Sequence, residues 1–284
     1  MGASAILAAE ELWRAARARR RRGLVLGGTL LVAAVGASAW IGEVSLARLA
    51  RGLPLAWDYI RRTLPDLAFA TLGADLARWM WGFTDWVMLL GDTLLIAYVG
   101  TVLGGAVALL LSFPAAATLA PRWAVGPARR LLEFMRTVPT LVLALIFVYA
   151  FGLGPFAGML AIAVHTAGAL GKLFAEEHEN AALGPVEAVR ATGASWAAQM
   201  RFGVLPQSLP GVLSYGLLRF EINVREASVL GIVGAGGIGE ELYLAVRQFE
   251  YQDISAILVL ILATVAAIDL LCGRLRARVI GGRA

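Results

Sequence analysis

Six stretches of this chain, 24–42, 88–112, 137–152, 155–174, 207–233 and 254–272, are apolar enough to leave water for a bilayer. Crossing the hydrocarbon takes roughly 20 residues of helix, because every backbone N–H and C=O must find its partner inside the same segment. Repeated crossing leaves little freedom of architecture. It predicts an all-α, polytopic membrane protein of about six transmembrane helices, with no room for a separate catalytic domain. Composition agrees: 59% of the residues are hydrophobic and 16% charged, and the mean hydropathy is +0.74. Soluble domains carry about a quarter charged residues.

Charge sorts the connections by side. With the N-terminus in the cytoplasm, the inner segments 1–23, 113–136, 175–206 and 273–284, with Lys172 at the edge of the third, hold seventeen Arg and Lys. The outer segments 43–87 and 234–253 hold six, and Arg219 and Arg225 fall within the fifth stretch. Cytoplasmic connections carry the excess of basic residues, so both termini are expected inside and the number of spans is even. The chain then divides into a basic N-terminal segment (1–23), a first membrane helix (24–42), an external interfacial segment (43–87), a core of five further helices (88–272) and a basic tail (273–284). The +5 net charge flanks apolar runs, which points to a lipid bilayer and not to nucleic acid. The first apolar stretch follows Arg14, Arg17, Arg19, Arg20, Arg21 and Arg22. It exceeds the roughly 7–15 residues of a secretory signal and reads as a membrane helix, although Ala37-Ser38-Ala39 mimics a cleavage site.

Segment 43–87 mixes charges with leucines and carries Trp57, Trp79, Trp81 and Trp86. Indole favours the headgroup level, so helices lying at the interface are expected; a small external domain is the alternative. Gly100 and Gly104 allow close helix approach, within the chain or between copies. The single cysteine, Cys272, excludes an internal disulfide and reads as a small apolar residue. The two histidines, His165 and His178, are too few for a metal cage. His165 reads as a packing residue and His178 as a solvated loop residue.

The connection 175–206 is polar and helical in pattern. Pro185 can open a helix, because its missing N–H is not needed there. Glu187 then falls in the first turn, where the helix dipole favours an anion. Arg190 occupies the last turn, and Gly193 can end the helix in the left-handed conformation. Ser195 is placed to cap a second short helix running to about Val204, closed by Leu205-Pro206. The segment resembles the EAA loop of ABC importer permeases: Glu187-Ala188-Val189, then Gly193, then Leu205-Pro206, at the family's spacing. Val189 and Gly203 depart from its pattern. The resemblance implies a docking element for a separate ATPase, carried by Glu187, Ala188, Gly193, Leu205 and Pro206.

The fifth stretch contains Arg219-Phe-Glu-Ile-Asn-Val-Arg-Glu226. A charge at the bilayer centre costs at least about 2.5–3.5 kcal/mol, so these groups must face protein or water and find partners. Glu221 and Arg225 stand at the i, i+4 spacing of an ion pair; Arg219 and Asn223 share a neighbouring face. One reading is a self-satisfied pair. The other is a substrate path lined by Arg219, Glu221, Asn223, Arg225 and Glu226, in which the planar guanidinium fork would suit phosphonate or phosphate oxygens.

Two nucleotide-like motifs are set aside. Gly234-Ala-Gly236-Gly237-Ile-Gly239 matches GxGxxG, but only another apolar stretch and the tail follow, so no βαβ unit could be completed. Gly171-Lys172 lacks both the earlier glycine and the following Ser or Thr of a phosphate-binding loop, so ATP hydrolysis would fall to another chain. The glycine run reads as a structural bend. Phe220 to Arg225, continued by Ala-Ser-Val-Leu-Gly-Ile-Val and the glycine run, closely resembles the phosphonate ABC permease family of the PhnE type; Arg190-Ala-Thr-Gly-Ala-Ser195 and Val204-Leu-Pro206 agree with it. This resemblance covers about 170–250. It implies a type I, MetI-like importer permease in a bacterial inner membrane. It also implies a second permease copy (the same chain or a close homologue), two ABC ATPase subunits carrying ATP and Mg, and an external phosphonate-binding protein. No cofactor is implied on this chain. An ion-gradient-driven transporter would also fit six spans, but would have no use for the glycine-cornered loop.

Overall fold

The computed structural model describes residues 2–281, with side chains apart from those of 2–12, Ala15 and Ile280. Met1 and the end of the basic tail, 282–284 with Arg283, lie outside the described residues. Every regular element among the described residues is helical. The chain divides into two compact units, one ending at Arg61 and one beginning at Arg62.

The first unit consists of α1 (Gly2–Ile41) and most of α2 (Leu46–Thr63). From Ala16 to Ile41, α1 is apolar enough to cross a membrane, and none of that stretch is buried by protein. Lipid is the solvent such a helix needs. In α2, Leu46, Leu49, Leu53, Trp57 and Ile60 fall at helical spacing on one stripe and are all exposed. Arg48, Arg51, Asp58 and Arg61 occupy the rest of the circumference. This suits a helix lying in an interface.

The second unit runs α3 (Leu72–Trp79), α4 (Phe83–Ala115), α5 (Arg122–Thr137), α6 (Thr140–Phe151), α7 (Pro155–Glu179), α8 (Leu183–Ala191) and α9 (Trp196–Gln199). A π turn (Met200–Val204), α10 (Leu205–Leu230), a 3-10 turn (Gly231–Val233), α11 (Ile238–Gln248) and α12 (Tyr251–Gly281) complete it. By length and composition α1, α4, α7 and α12 each suffice to cross a membrane; two bent pairs bring the total to six if each counts as one span. The third apolar stretch, 137–152, holds only α6 and Thr137, the end of α5. Together with α5, which otherwise falls in the expected inner segment 113–136, α6 forms such a pair, bent by 85°. Pro139 causes the break: it holds Val138 extended (φ −75°, ψ 121°) and starts a new helix at Thr140. At 12 residues, α6 is only about 18 Å long. The sixth stretch is longer than its apolar core, because α12 continues through Asp269 to Gly281.

The α4–α7 contact forms the spine. A Cβ on Gly104 would lie 2.5 Å from the Ala163 carbonyl and 2.7 Å from Thr166 Cβ, and one on Gly100 would lie 2.8 Å from Ile162. This glycine pair therefore serves packing within the chain. Ile96, Ala97, Ala161, Ile162, Val224 and Ala227 fill the centre between α4, α7 and α10. At one end Trp86 and Leu90 pack on Ile238, Ala245, Ile254 and Ile257. There the Trp79 indole donates to Ser255 Oγ (2.9 Å) and the Gln252 carbonyl (3.1 Å), and Trp81 donates to Asp253 (3.1 Å).

Candidate functional site

Helical periodicity divides the α10 charges between two faces. Arg219, Asn223 and Glu226 point toward α4, α6 and α7. The Arg219 guanidinium donates to His165 Nδ1 (2.7 Å) and meets Glu226 at 3.4 Å; its Nε donates to Thr166 Oγ1 at 3.4 Å. Glu226 also accepts from the Thr140 hydroxyl at 2.8 Å. Asn223 is fully buried and its Nδ2 donates to Thr101 (2.7 Å) and Thr166 (2.9 Å), while its Oδ1 has no partner. Thr101 lies fifteen residues along α4 from Trp86, about 22 Å of helix, so the cluster sits deep between the ends.

Glu221 and Arg225 occupy the opposite face, against α12. The expected Glu221–Arg225 pair does not form. Glu221 pairs with Arg276, and Arg225 donates to both oxygens of Asp269 at 3.0 Å. Both side chains project across the helix–helix contact, where α12 offers a partner to each. Each of the three ion pairs therefore joins one cation to one anion; one lies within α10 and the other two bridge α10 to α12. Arg225 and Asp269 remain about half exposed, 50% and 40%, so they need water or protein beside them at membrane depth. Sequence reasoning missed Thr101, Thr140, Thr166, Arg276 and the pairing role of His165. The signal of the threonines and His165 was polar character inside apolar helices; Arg276 falls in the basic tail, and Asp269 interrupts the sixth apolar stretch.

The connection after α7 folds into two helices around a glycine corner. α8 begins at Leu183, two residues before Pro185, which leaves Glu187 mid-helix. Gln207 supports that start: its Oε1 accepts from the Ala182 N–H (3.1 Å) and its Nε2 donates to the Ala182 and Gly203 carbonyls (3.2 and 2.6 Å). Gly193 is left-handed (φ +79°). Ser195 caps α9, accepting from Ala198 N–H at 3.4 Å. Leu205-Pro206 opens α10 and does not close the second helix, because proline is tolerated in the first turn. Glu187, Ala188, Gly193 and Pro206 are exposed, while Leu205 is half-buried. Beneath them Val186, Met200 and Val204 pack together with Phe113 and Leu119. A Cβ at Gly203 would lie 2.9 Å from Val186 Cα, so glycine there permits the close crossing. The projection is tied down by Trp196, donating to the Leu119 carbonyl at 2.8 Å. Glu179 secures its root, accepting from the Ala117 N–H (2.5 Å) and Arg129 (2.6 Å).

The glycine run forms a packed corner between α10 and α11. Gly234, Gly236 and Gly237 have φ near +78°. A Cβ on Gly239 would fall 1.9 Å from the Ser228 carbonyl. The Thr93 hydroxyl accepts from Ile238 N–H at 2.9 Å, and the Gly234 carbonyl accepts from Gly154 N–H at 2.8 Å. Among the described residues no strand precedes this run and no group of three or more His, Cys, Asp or Glu could hold a metal ion.

The chain is 38% identical over 238 residues, 84% of its length and 82% of the relative's, to the phosphite transport system permease protein PtxC of Stutzerimonas stutzeri. Over 118 residues, 42% of this chain and 97% of the relative, it is 52% identical to PhnE2, a permease named for a cryptic phosphonate transport system of Escherichia coli (strain K12). An inward-facing structure of the MetNI methionine ABC transporter has the same fold, with a TM-score of 0.60 at 22% identity, covering 70% of this chain and 97% of that one. Residues 108–280 match the family described as the binding-protein-dependent transport system inner membrane component, and the chain belongs to that family.

Proposed function

We propose that the chain is the channel-forming subunit of an ATP-driven importer that moves a phosphonate, or a related phosphorus oxyanion, across the bacterial inner membrane. The observation that carries this reading is the α8–α9 projection: a clamped helix–glycine–helix element that exposes Glu187, Ala188 and Gly193 on a chain of this family. A rigid exposed surface at the root of the spanning helices suits a soluble partner that pushes on it. That partner is a pair of ABC ATPase subunits, which carry ATP and Mg; this chain performs no bond chemistry. A second permease copy completes the channel and an external binding protein delivers the anion. The arginine-rich segments 1–23 and 273–284 support cytoplasmic placement of both termini. The charged segment of α10, with Arg219 on one face and Arg225 on the other, lines the substrate path. Arg219 and Arg225 are forked donors at membrane depth, and an entering oxyanion would compete with Glu226 and Asp269 for them. The names of the relatives support phosphonate and phosphite as the substrate class.

The test is growth of a strain lacking the gene, with 2-aminoethylphosphonate, phosphite or phosphate as sole phosphorus source. Loss of growth on the phosphonate, restored by the wild type and not by Gly193→Pro, is the expected result. A defect confined to phosphite or phosphate would move the substrate within the oxyanion class. Uptake that survives ATP depletion would refute the importer reading.

A further inference from the structure

We propose that His178 is the positioning residue that transmits movement of the α8–α9 projection to the spanning helices. This rests on the coupling role proposed above for that projection. His178 stands at the last turn of α7, where the projection leaves the core, and is fully buried. Sequence reasoning places it in a solvated loop; α7 instead runs five residues beyond the apolar stretch and carries it inside. Its two ring nitrogens bind hydroxyls on two other helices: Nε2 meets Ser112 Oγ on α4 at 3.0 Å, and Nδ1 meets Ser208 Oγ on α10 at 2.8 Å.

Each serine hydroxyl also lies near a carbonyl of its own helix, Ser112 Oγ at 2.7 Å from the Leu109 oxygen and Ser208 Oγ at 3.2 Å from the Val204 oxygen. A neutral imidazole carries one N–H and one lone pair, so it donates to one serine and accepts from the other. In either tautomer the ring joins α10, α7 and α4. The ring also stacks on Phe113, with centroids 4.5 Å apart and planes within 2°. Phe113 packs in turn against Val186, Met200 and Val204 of the projection. A displacement of α8 therefore reaches the ring through Phe113, and the ring binds the three helices that would have to move together.

A buried histidine that merely filled space could be replaced by an apolar side chain, since burying imidazole costs free energy unless both nitrogens are bonded. The two readings separate in the assembled transporter, co-expressed with its ATPase and reconstituted in liposomes. The probes are 2-aminoethylphosphonate, phosphite and phosphate. We expect His178→Phe to insert, to retain its ATPase and to hydrolyse ATP, while molecules imported per ATP fall about tenfold or more, as loss of two hydrogen bonds at one junction implies. His178→Gln should recover part of that ratio. Ser112→Ala and Ser208→Ala remove one oxygen each and should each lower it several-fold; together they should do no more than His178→Phe, because the three share one network. If His178→Phe does not assemble, the serine variants decide the matter. An unchanged ratio, or uptake that falls only in step with the amount of inserted protein, would overturn the proposal. Glu187→Arg serves as the control: if it leaves ATPase capture and hydrolysis intact, the coupling role of the projection fails, independently of His178.

Discussion

Arg219 and Glu226 lie seven positions apart on α10 and meet at 3.4 Å, with side chains 11% and 28% exposed. Breaking a buried ion pair by removing one partner costs about 3–5 kcal/mol, whereas removing both charges is often neutral. Here each partner keeps other bonds: Arg219 retains His165 and Thr166, and Glu226 retains the Thr140 hydroxyl. Those residual bonds place the single variants Arg219→Leu and Glu226→Leu near the low end, at about 2–3 kcal/mol of destabilisation. The double variant should end about 1 kcal/mol below wild type, which with single variants at about 2–3 kcal/mol each makes the coupling energy about 3–5 kcal/mol. Reversible unfolding of the purified permease in mixed detergent micelles reads the stability cycle, and uptake by the assembled transporter reads function. Additive single and double effects, or single variants within about 0.5 kcal/mol of wild type, would refute the pairing. A double variant that recovers stability and full uptake together would leave the pair structural and remove Arg219 from the substrate path. Stability recovered without uptake is the expected outcome.

Further outcomes follow from the glycines and tryptophans. Gly104→Val should destabilise the permease by about 2–3 kcal/mol, because even a Cβ would lie 2.5 Å from the Ala163 carbonyl; the same unfolding assay tests it. Gly239→Ala should reduce inserted protein sharply, with its Cβ 1.9 Å from the Ser228 carbonyl, whereas Gly216→Ala meets nothing within 4 Å and should stabilise α10 by about 0.5–1 kcal/mol. At Gly193, φ is +79° but no atom lies within 4 Å of a Cβ. Gly193→Ala should therefore cost only about 1 kcal/mol of strain, with growth on the transported phosphorus source nearly unchanged, while Gly193→Pro abolishes it. Trp79→Phe loses the bonds to Ser255 and Gln252 and should cost about 1 kcal/mol, read by the same unfolding measurement.

Local chemistry determined much of this protein. Hydropathy by itself marked the apolar stretches, since hydrocarbon solvates any helix of sufficient length and low charge. Gly193 and Ser195 announced a corner and a cap because capping depends on neighbouring residues alone. The PhnE-type motif identified the family, which the comparisons bear out. Tertiary structure decided the partners. Arg225 and Asp269 are 44 positions apart, Asn223 and Thr101 122 apart, and His178 and Ser112 66 apart; no local spacing encodes such pairs. The i, i+4 rule proposed Glu221–Arg225, and α12 overrode it by bringing Asp269 and Arg276 to the same face. His178 looked solvated because its neighbours in sequence are charged, yet the end of α7 turns its ring between two serines. A span's existence depends on its own residues, whereas the direction a side chain faces depends on which helix packs beside it.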